Sequence, residues 1–197
     1  MPKQTFTASQ LYGAVKQIFD APNFEITNPH LTEEEVANLR LNINWPNKPV
    51  YSPYATTKAK GYSQIRSVHL GSSKYYTHRI TYRQFQGEDP DEKDVSHTLY
   101  IGSNTCRNIN PVFLVAETNN YNQSRKACFL YFEELLQERY ENMGSHFAAS
   151  GSLESWGIKV RSTNGLCQRL HKNRMCCFAW VDWVMDYKAR KISNNQL

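Results

Sequence analysis

The sequence predicts an α+β fold in a single domain: helices at the N-terminus, an antiparallel sheet in the middle and further helices after it. Three observations predict it. Apolar residues near the N-terminus recur at helical spacing. Two aromatic and β-branched runs flank Gly71, Ser72 and Ser73, as the arms of a hairpin would. A long stripe of apolar residues follows Thr118.

Taken in chain order, residues 8–20 set Leu11, Val15, Ile18 and Phe19 on one stripe, which predicts a helix. Thr32 opens a Thr-Glu-Glu-Glu run with Glu35 where a capping box needs it, so a second helix is predicted to about Arg40. Pro46, Pro49 and Pro53 break regular helix and predict an irregular or edge-strand passage. The runs GYSQIRSVHL and KYYTHRITYR predict two paired strands. In the second, Thr77, Arg79, Thr81 and Arg83 would share a polar face; in the first, Gln64 and Arg66 would. The acidic segment 86–94 predicts a turn, and 95–100 a short strand carrying His97. After Asn110-Pro111, Thr118 is expected to cap a helix reaching about Met143, with Phe129, Phe132, Leu136 and Tyr140 along one stripe. Residues 144–151 read as a break, WGIKVR as one more strand, and 178–191 as a last helix carrying Trp180, Trp183, Val184 and Tyr187. The organisation expected is one domain, 1–197, made of a helical or irregular region (1–57), a sheet with the core (58–128) and a helical extension (129–197).

Composition narrows the class of partner. With 40% hydrophobic residues, a chain of this length can bury a core without disulfides. Its net charge of +5 and pI near 8.9 favour an anionic partner. The first ten residues lack the apolar stretch of a signal peptide, and no apolar run approaches the roughly 18 residues that cross a bilayer. The expectation is an intracellular protein, nuclear or cytoplasmic, with no membrane partner. All five cysteines, Cys106, Cys128, Cys167, Cys176 and Cys177, lie in the second half of the chain. An odd number grouped around His171 reads as metal ligation and not as a disulfide framework.

Gly61 with Ser63-Gln64-Ile65-Arg66, then His78-Arg79-Ile80-Thr81, Ser96-His97, Cys106, Asn110-Pro111, Glu117, Asn122, Arg125 and Cys128 follow one another in an order that resembles a known family. It is similar to the His-Me finger, or ββα-metal, endonucleases of the His-Cys box homing type, which carry zinc-binding loops. The match runs from Gly61 to Cys128 and resumes from Cys167 to Cys176, a little over half the chain. The resemblance implies a metal-dependent DNA endonuclease, with His97 as general base and Asn122 as the Mg2+ ligand. It also implies a strand arginine near the scissile phosphate, Arg66 or Arg79. The chemistry is self-consistent: a neutral imidazole is a suitable base near pH 7, and a hard cation held by an amide oxygen can stabilise the leaving oxygen.

Two metal sites of the family fare differently. Cys128, Cys167, His171 and Cys176 supply three thiolates and one imidazole, a tetrahedral structural Zn2+ set; Cys177 could replace Cys176. The family's other zinc site lacks its ligands here, with Phe113 where the family has histidine and only Cys106 nearby. Apolar packing of Phe113, Leu114, Leu99 and Tyr100 is expected to take over that role, with one zinc per chain.

For double-stranded DNA the expected reader is the sheet, set in the major groove. Gln64, Arg66, Thr77, Arg79, Thr81 and Arg83 would face base edges, and Lys58, Lys60 and Lys74 would meet phosphates. A homodimer is implied as well, because cutting both strands needs two centres related by a twofold axis. Two other readings stand beside the endonuclease: a DNA-binding protein on the same scaffold without cleavage, and a zinc-stapled protein-interaction module.

Overall fold

Thr7 starts the first helix with a reciprocal cap: its hydroxyl accepts from the Gln10 N–H at 3.2 Å, and the Gln10 side chain accepts from the Thr7 N–H at 2.9 Å. The computed structural model describes residues 5–58, 61–71, 73–88, 90, 92–101, 104–130 and 178–179. It is a mixed α+β structure of helices and small two-stranded sheets. The chain packs as two compact units, Met1–His97 with Asn104–Glu117, and Thr98–Ser103 with Thr118–Leu197.

In the first unit, α1 (Ala8–Phe19) buries Leu11, Val15, Ile18 and Phe19, the stripe the periodicity predicts, together with Ala14. A short α2 (Phe24–Thr27), too brief to show a period, inserts Phe24 beside Phe19 with ring centroids 5.4 Å apart. α3 (Glu33–Asn42) begins at the predicted capping box of Thr32 and Glu35 and buries Val36 and Leu39. These side chains, with Val50, Ile65, Leu70, Ile80 and Ile109, form one apolar core. Full burial of each stabilises the unit by roughly 1.5–3 kcal/mol before entropy is counted.

The hairpin is real but much shorter than the sequence suggests. β1 (Gln64–Arg66) and β2 (Lys74–Tyr76) pair antiparallel, with Ile65 opposite Tyr75 and Arg66 opposite Lys74. The second strand stops at Tyr76, and residues 77–86 form α4 (Thr77–Gln86), not the extended strand their composition suggests. Thr77, His78, Ile80 and Thr81 make one buried helical face, a 3.6-residue pattern inside a run whose residue types also alternate as a strand's would. Packing of that face against α1 decides the competition over β propensity. The threonine hydroxyls find backbone acceptors: Thr77 donates to the Ser63 carbonyl at 3.2 Å, and Thr81 to the Ile109 carbonyl at 2.6 Å. Gly87, at φ +72°, ends the helix in the left-handed conformation that glycine adopts without strain.

The predicted strand over 95–100 is two pieces, β3 (Asp94–His97) and β4 (Leu99–Tyr100), interrupted at Thr98. β3 pairs antiparallel with β5 (Leu114–Glu117), placing His97 opposite Leu114. Between them run two 3-10 turns, Thr105–Arg107 and Pro111–Phe113. Phe113 and Leu114 are buried.

In the second unit, β4 pairs in parallel with β6 (Phe178–Ala179). The last helix therefore does not begin at Phe178; Trp180, Trp183, Val184 and Tyr187 lie outside the described residues. Residues 119–130 form α5, with the N–H groups of Tyr121 and Asn122 bonded to the Thr118 carbonyl at 3.0 and 3.1 Å. Leu99, Arg125 and Cys128 are buried, and the Tyr100 and Phe129 rings lie 5.6 Å apart. The expected continuation to Met143, the break at 144–151, the WGIKVR strand and Cys167, His171, Cys176 and Cys177 also lie outside the described residues. Among the described residues, no helix is long and apolar enough to cross a membrane.

Candidate active site

His97 closes β3, and its ring is enclosed: only 4% of the residue is exposed. Its Nε2 stands 2.9 Å from the main-chain carbonyl of Asn108. A carbonyl can only accept, so Nε2 carries the proton and Nδ1 keeps the lone pair. Burial lowers the imidazole's pKa to about 4, with the Asn108 carbonyl working partly against that shift. His97 is therefore neutral throughout the physiological range, in one tautomer.

Two rings lie against it, and a third joins the cluster. Tyr62 stacks on His97 at 5.9 Å and 19°, and lies 4.9 Å from His78. His78, from α4, sits 5.1 Å from His97, and Tyr76 completes the group at 5.8 Å from His78. Burial, then the neighbouring His97 and Arg79, hold the His78 imidazole well below the ordinary histidine range. Tyr62 is pushed up to about 12 by burial, the Cys106 thiol and Asp94. Gly61, just before it, takes φ +68°, where any side chain would strain the turn that delivers Tyr62 to the cluster.

The Asn108 carbonyl is itself held in place. Asn108 Oδ1 accepts from the N–H of Val50 at 3.2 Å and of Asn110 at 3.1 Å. Asn110 donates from Nδ2 to the carbonyls of Pro46 and Lys48, both at 2.7 Å, and accepts from the Val112 N–H at 3.0 Å. Ser52 N–H to Arg107 O at 3.0 Å and Ile109 N–H to Val50 O at 2.8 Å complete the seam. Two buried asparagines thus tie the loop to the 46–52 segment. Sequence reasoning looked for that rigidity in apolar packing alone. Asn110-Pro111 was visible as a turn; the acceptors on the other side are main-chain atoms and leave no sequence signal. Tyr62 and His78 were missed for a related reason: strand reading of 61–83 put no ring beside His97.

The other expected site residues are placed as follows. Asn122 lies half-buried in the first turn of α5, with a side-chain oxygen of the kind a hard cation takes. Of the zinc set only Cys128 is described, and it is buried. Among the described residues, no three His, Cys, Asp or Glu side chains stand together as a metal cage. Arg66 and Lys74 are exposed and directly opposed on the outer face of the hairpin, with Gln64 and Tyr76 beside them; Lys58 is also exposed. Lys60 lies outside the described residues. Thr77 and Thr81 are core residues at 0% exposure and have left the face on which they were expected to read bases. Arg79 turns Nη1 to the Lys93 carbonyl at 3.1 Å, and Arg83 lies over the Phe6 ring at 4.9 Å. Neither stands on a strand, so the two-strand reading face shrinks to the short hairpin. No family model, no curated protein and no solved structure matches the chain.

Proposed function

We propose that the chain is a divalent-metal-dependent DNA endonuclease of the His-Me finger type, hydrolysing phosphodiester bonds in double-stranded DNA. The observation that carries the reading is the Nε2 contact of His97 with the Asn108 carbonyl, which leaves Nδ1 as the basic nitrogen of a neutral ring. In this reading His97 would take a proton from water, and Asn122 would hold Mg2+, which would supply charge stabilisation at the leaving oxygen. Cys128, Cys167, His171 and Cys176 hold one structural Zn2+. The enzyme acts as a homodimer in the nucleus or cytoplasm, homing-like in its choice of a specific target.

The DNA face is the outer side of the β1–β2 hairpin. Like charges directly opposite in an antiparallel pair destabilise it, and Arg66 faces Lys74 in that way. A polyanion laid across the two would relieve the repulsion. Arg66 remains the first candidate to approach the scissile phosphate.

A second reading has a specific observation behind it. A base with a pKa near 4 accepts protons weakly at pH 7, which favours a DNA-binding protein that has lost cleavage. Incubating plasmid with the protein in Mg2+ and in EDTA separates the two: cation-dependent nicking supports the nuclease, and duplex binding without any cutting supports the second reading.

A further inference from the structure

His78 is a buried imidazole that the proposed chemistry does not use. Its Nδ1 is shut away from solvent and finds no hydrogen-bond partner among the described residues. A phenylalanine would fill the slot without an unsatisfied nitrogen, and the contacts His78 makes through its ring are with other rings. The ring's neighbours say what the flat shape does. It lies 5.1 Å from His97 and 4.9 Å from Tyr62, and Tyr62 in turn covers His97.

A single hydrogen bond leaves an imidazole able to rock and turn about its own Cβ–Cγ axis. Flipping it would set a carbon against the Asn108 carbonyl and move the lone pair to the other side. Ring walls resist that motion because the interior is close-packed and a flip needs free volume. We propose that His78 and Tyr62 are positioning residues for His97, wedging its ring so that Nε2–H stays on the Asn108 carbonyl and Nδ1 stays the basic nitrogen. The inference deepens the nuclease reading and rests on it for its catalytic meaning, but the wedge can be observed without any cleavage. The charged and titratable groups around the cluster are Tyr62 and Tyr76 from the hairpin segment, Arg79 from α4, Asp94 from β3 and Cys106 from the 3-10 turn.

The test is 15N and 13C NMR of labelled histidine side chains in the full chain, comparing wild type with His78→Ala and His78→Phe. Wild type should show His97 in the single Nε2–H tautomer, unprotonated down to about pH 4. His78→Ala should give mixed tautomers and a titration midpoint moved up toward the ordinary histidine value. His78→Phe should restore the wild-type pattern. Where nicking is measured alongside, kcat falls about 100-fold in His78→Ala with KM unchanged and recovers in His78→Phe, the size expected for a misaligned group. An unchanged His97 spectrum in His78→Ala overturns the proposal. So does His78→Phe behaving like His78→Ala, because then the nitrogen and not the ring is what matters. Absence of nicking in wild type would remove the nuclease reading and leave the spectral test intact.

Discussion

The main-chain carbonyl of Asn108 accepts the Nε2–H of His97 across 2.9 Å. The bond links the end of β3 to a loop eleven residues on, and it sets both the tautomer and the orientation of a buried neutral imidazole.

Acid should weaken the fold through that imidazole and its neighbour. Both His97 and His78 have native pKa values below the unfolded value of about 6.5. The unfolded chain therefore binds more protons, and stability falls as pH drops through 6.5. The His97 share is lost as pH falls from about 6.5 and is gone below about pH 4, and amounts to about 3 kcal/mol. Denaturant melts between pH 4 and 8 check this, and His78→Phe should flatten the slope. A stability independent of pH between 4.5 and 6.5 would contradict the burial of these rings.

The buried asparagine seam should contribute measurably to stability. Asn110→Ala removes two donor bonds and one acceptor bond at a buried site, which should cost about 3 kcal/mol. It should also loosen the loop that carries the Asn108 carbonyl, seen as faster amide exchange at Ile109 and Val112. Loss of stability below 1 kcal/mol would show that apolar packing holds the loop by itself.

Charge removal on the hairpin should separate DNA binding from stability. Lys74→Gln relieves the repulsion with Arg66 and should raise stability by about 0.2–1 kcal/mol. Each of Arg66→Gln and Lys74→Gln should weaken duplex binding and lower the slope of log K against log salt by about 1. Thr81→Val serves as the contrast: its hydroxyl bonds the Ile109 carbonyl inside the core, so it should lose stability and leave DNA affinity unchanged. Fluorescence anisotropy at several salt concentrations reads all three.

How much was legible depended on whether the signal was a side-chain pattern or a main-chain partner. The capping boxes of α1 and α3 rest on local rules: Thr32 with Glu35 was predicted from spacing, and Thr7 with Gln10 follows the same geometry. The residues of α4 satisfy two periods at once, and only the packing of Thr77, Ile80 and Thr81 chooses between them. The short strand expected over 95–100 is present around His97 as β3, with Val95, Ser96 and His97 all buried. The orientation of His97 was not visible, since its partner is a carbonyl, which every residue has. The ring walls Tyr62 and His78 were hidden by the same strand assignment that misplaced Thr77 and Thr81.

The zinc expectation has its own measurement. Cys128, Cys167, His171 and Cys176 should bind one Zn2+ per chain, released by strong chelators with loss of stability. Elemental analysis of protein purified without chelator should return one zinc per chain. Two zincs per chain would sink the idea that packing around Phe113 and Leu114 replaces the second site.

The central claim is that the neutral, oriented imidazole of His97 deprotonates water for phosphodiester cleavage. A plasmid-nicking assay with wild type and His97→Ala, each in Mg2+ and in EDTA, tests it most directly. The account predicts nicked plasmid only for wild type in Mg2+, with His97→Ala slowed by 100-fold or more while still binding duplex. Equal nicking by His97→Ala, or wild type that binds duplex and never cuts it, would contradict the account.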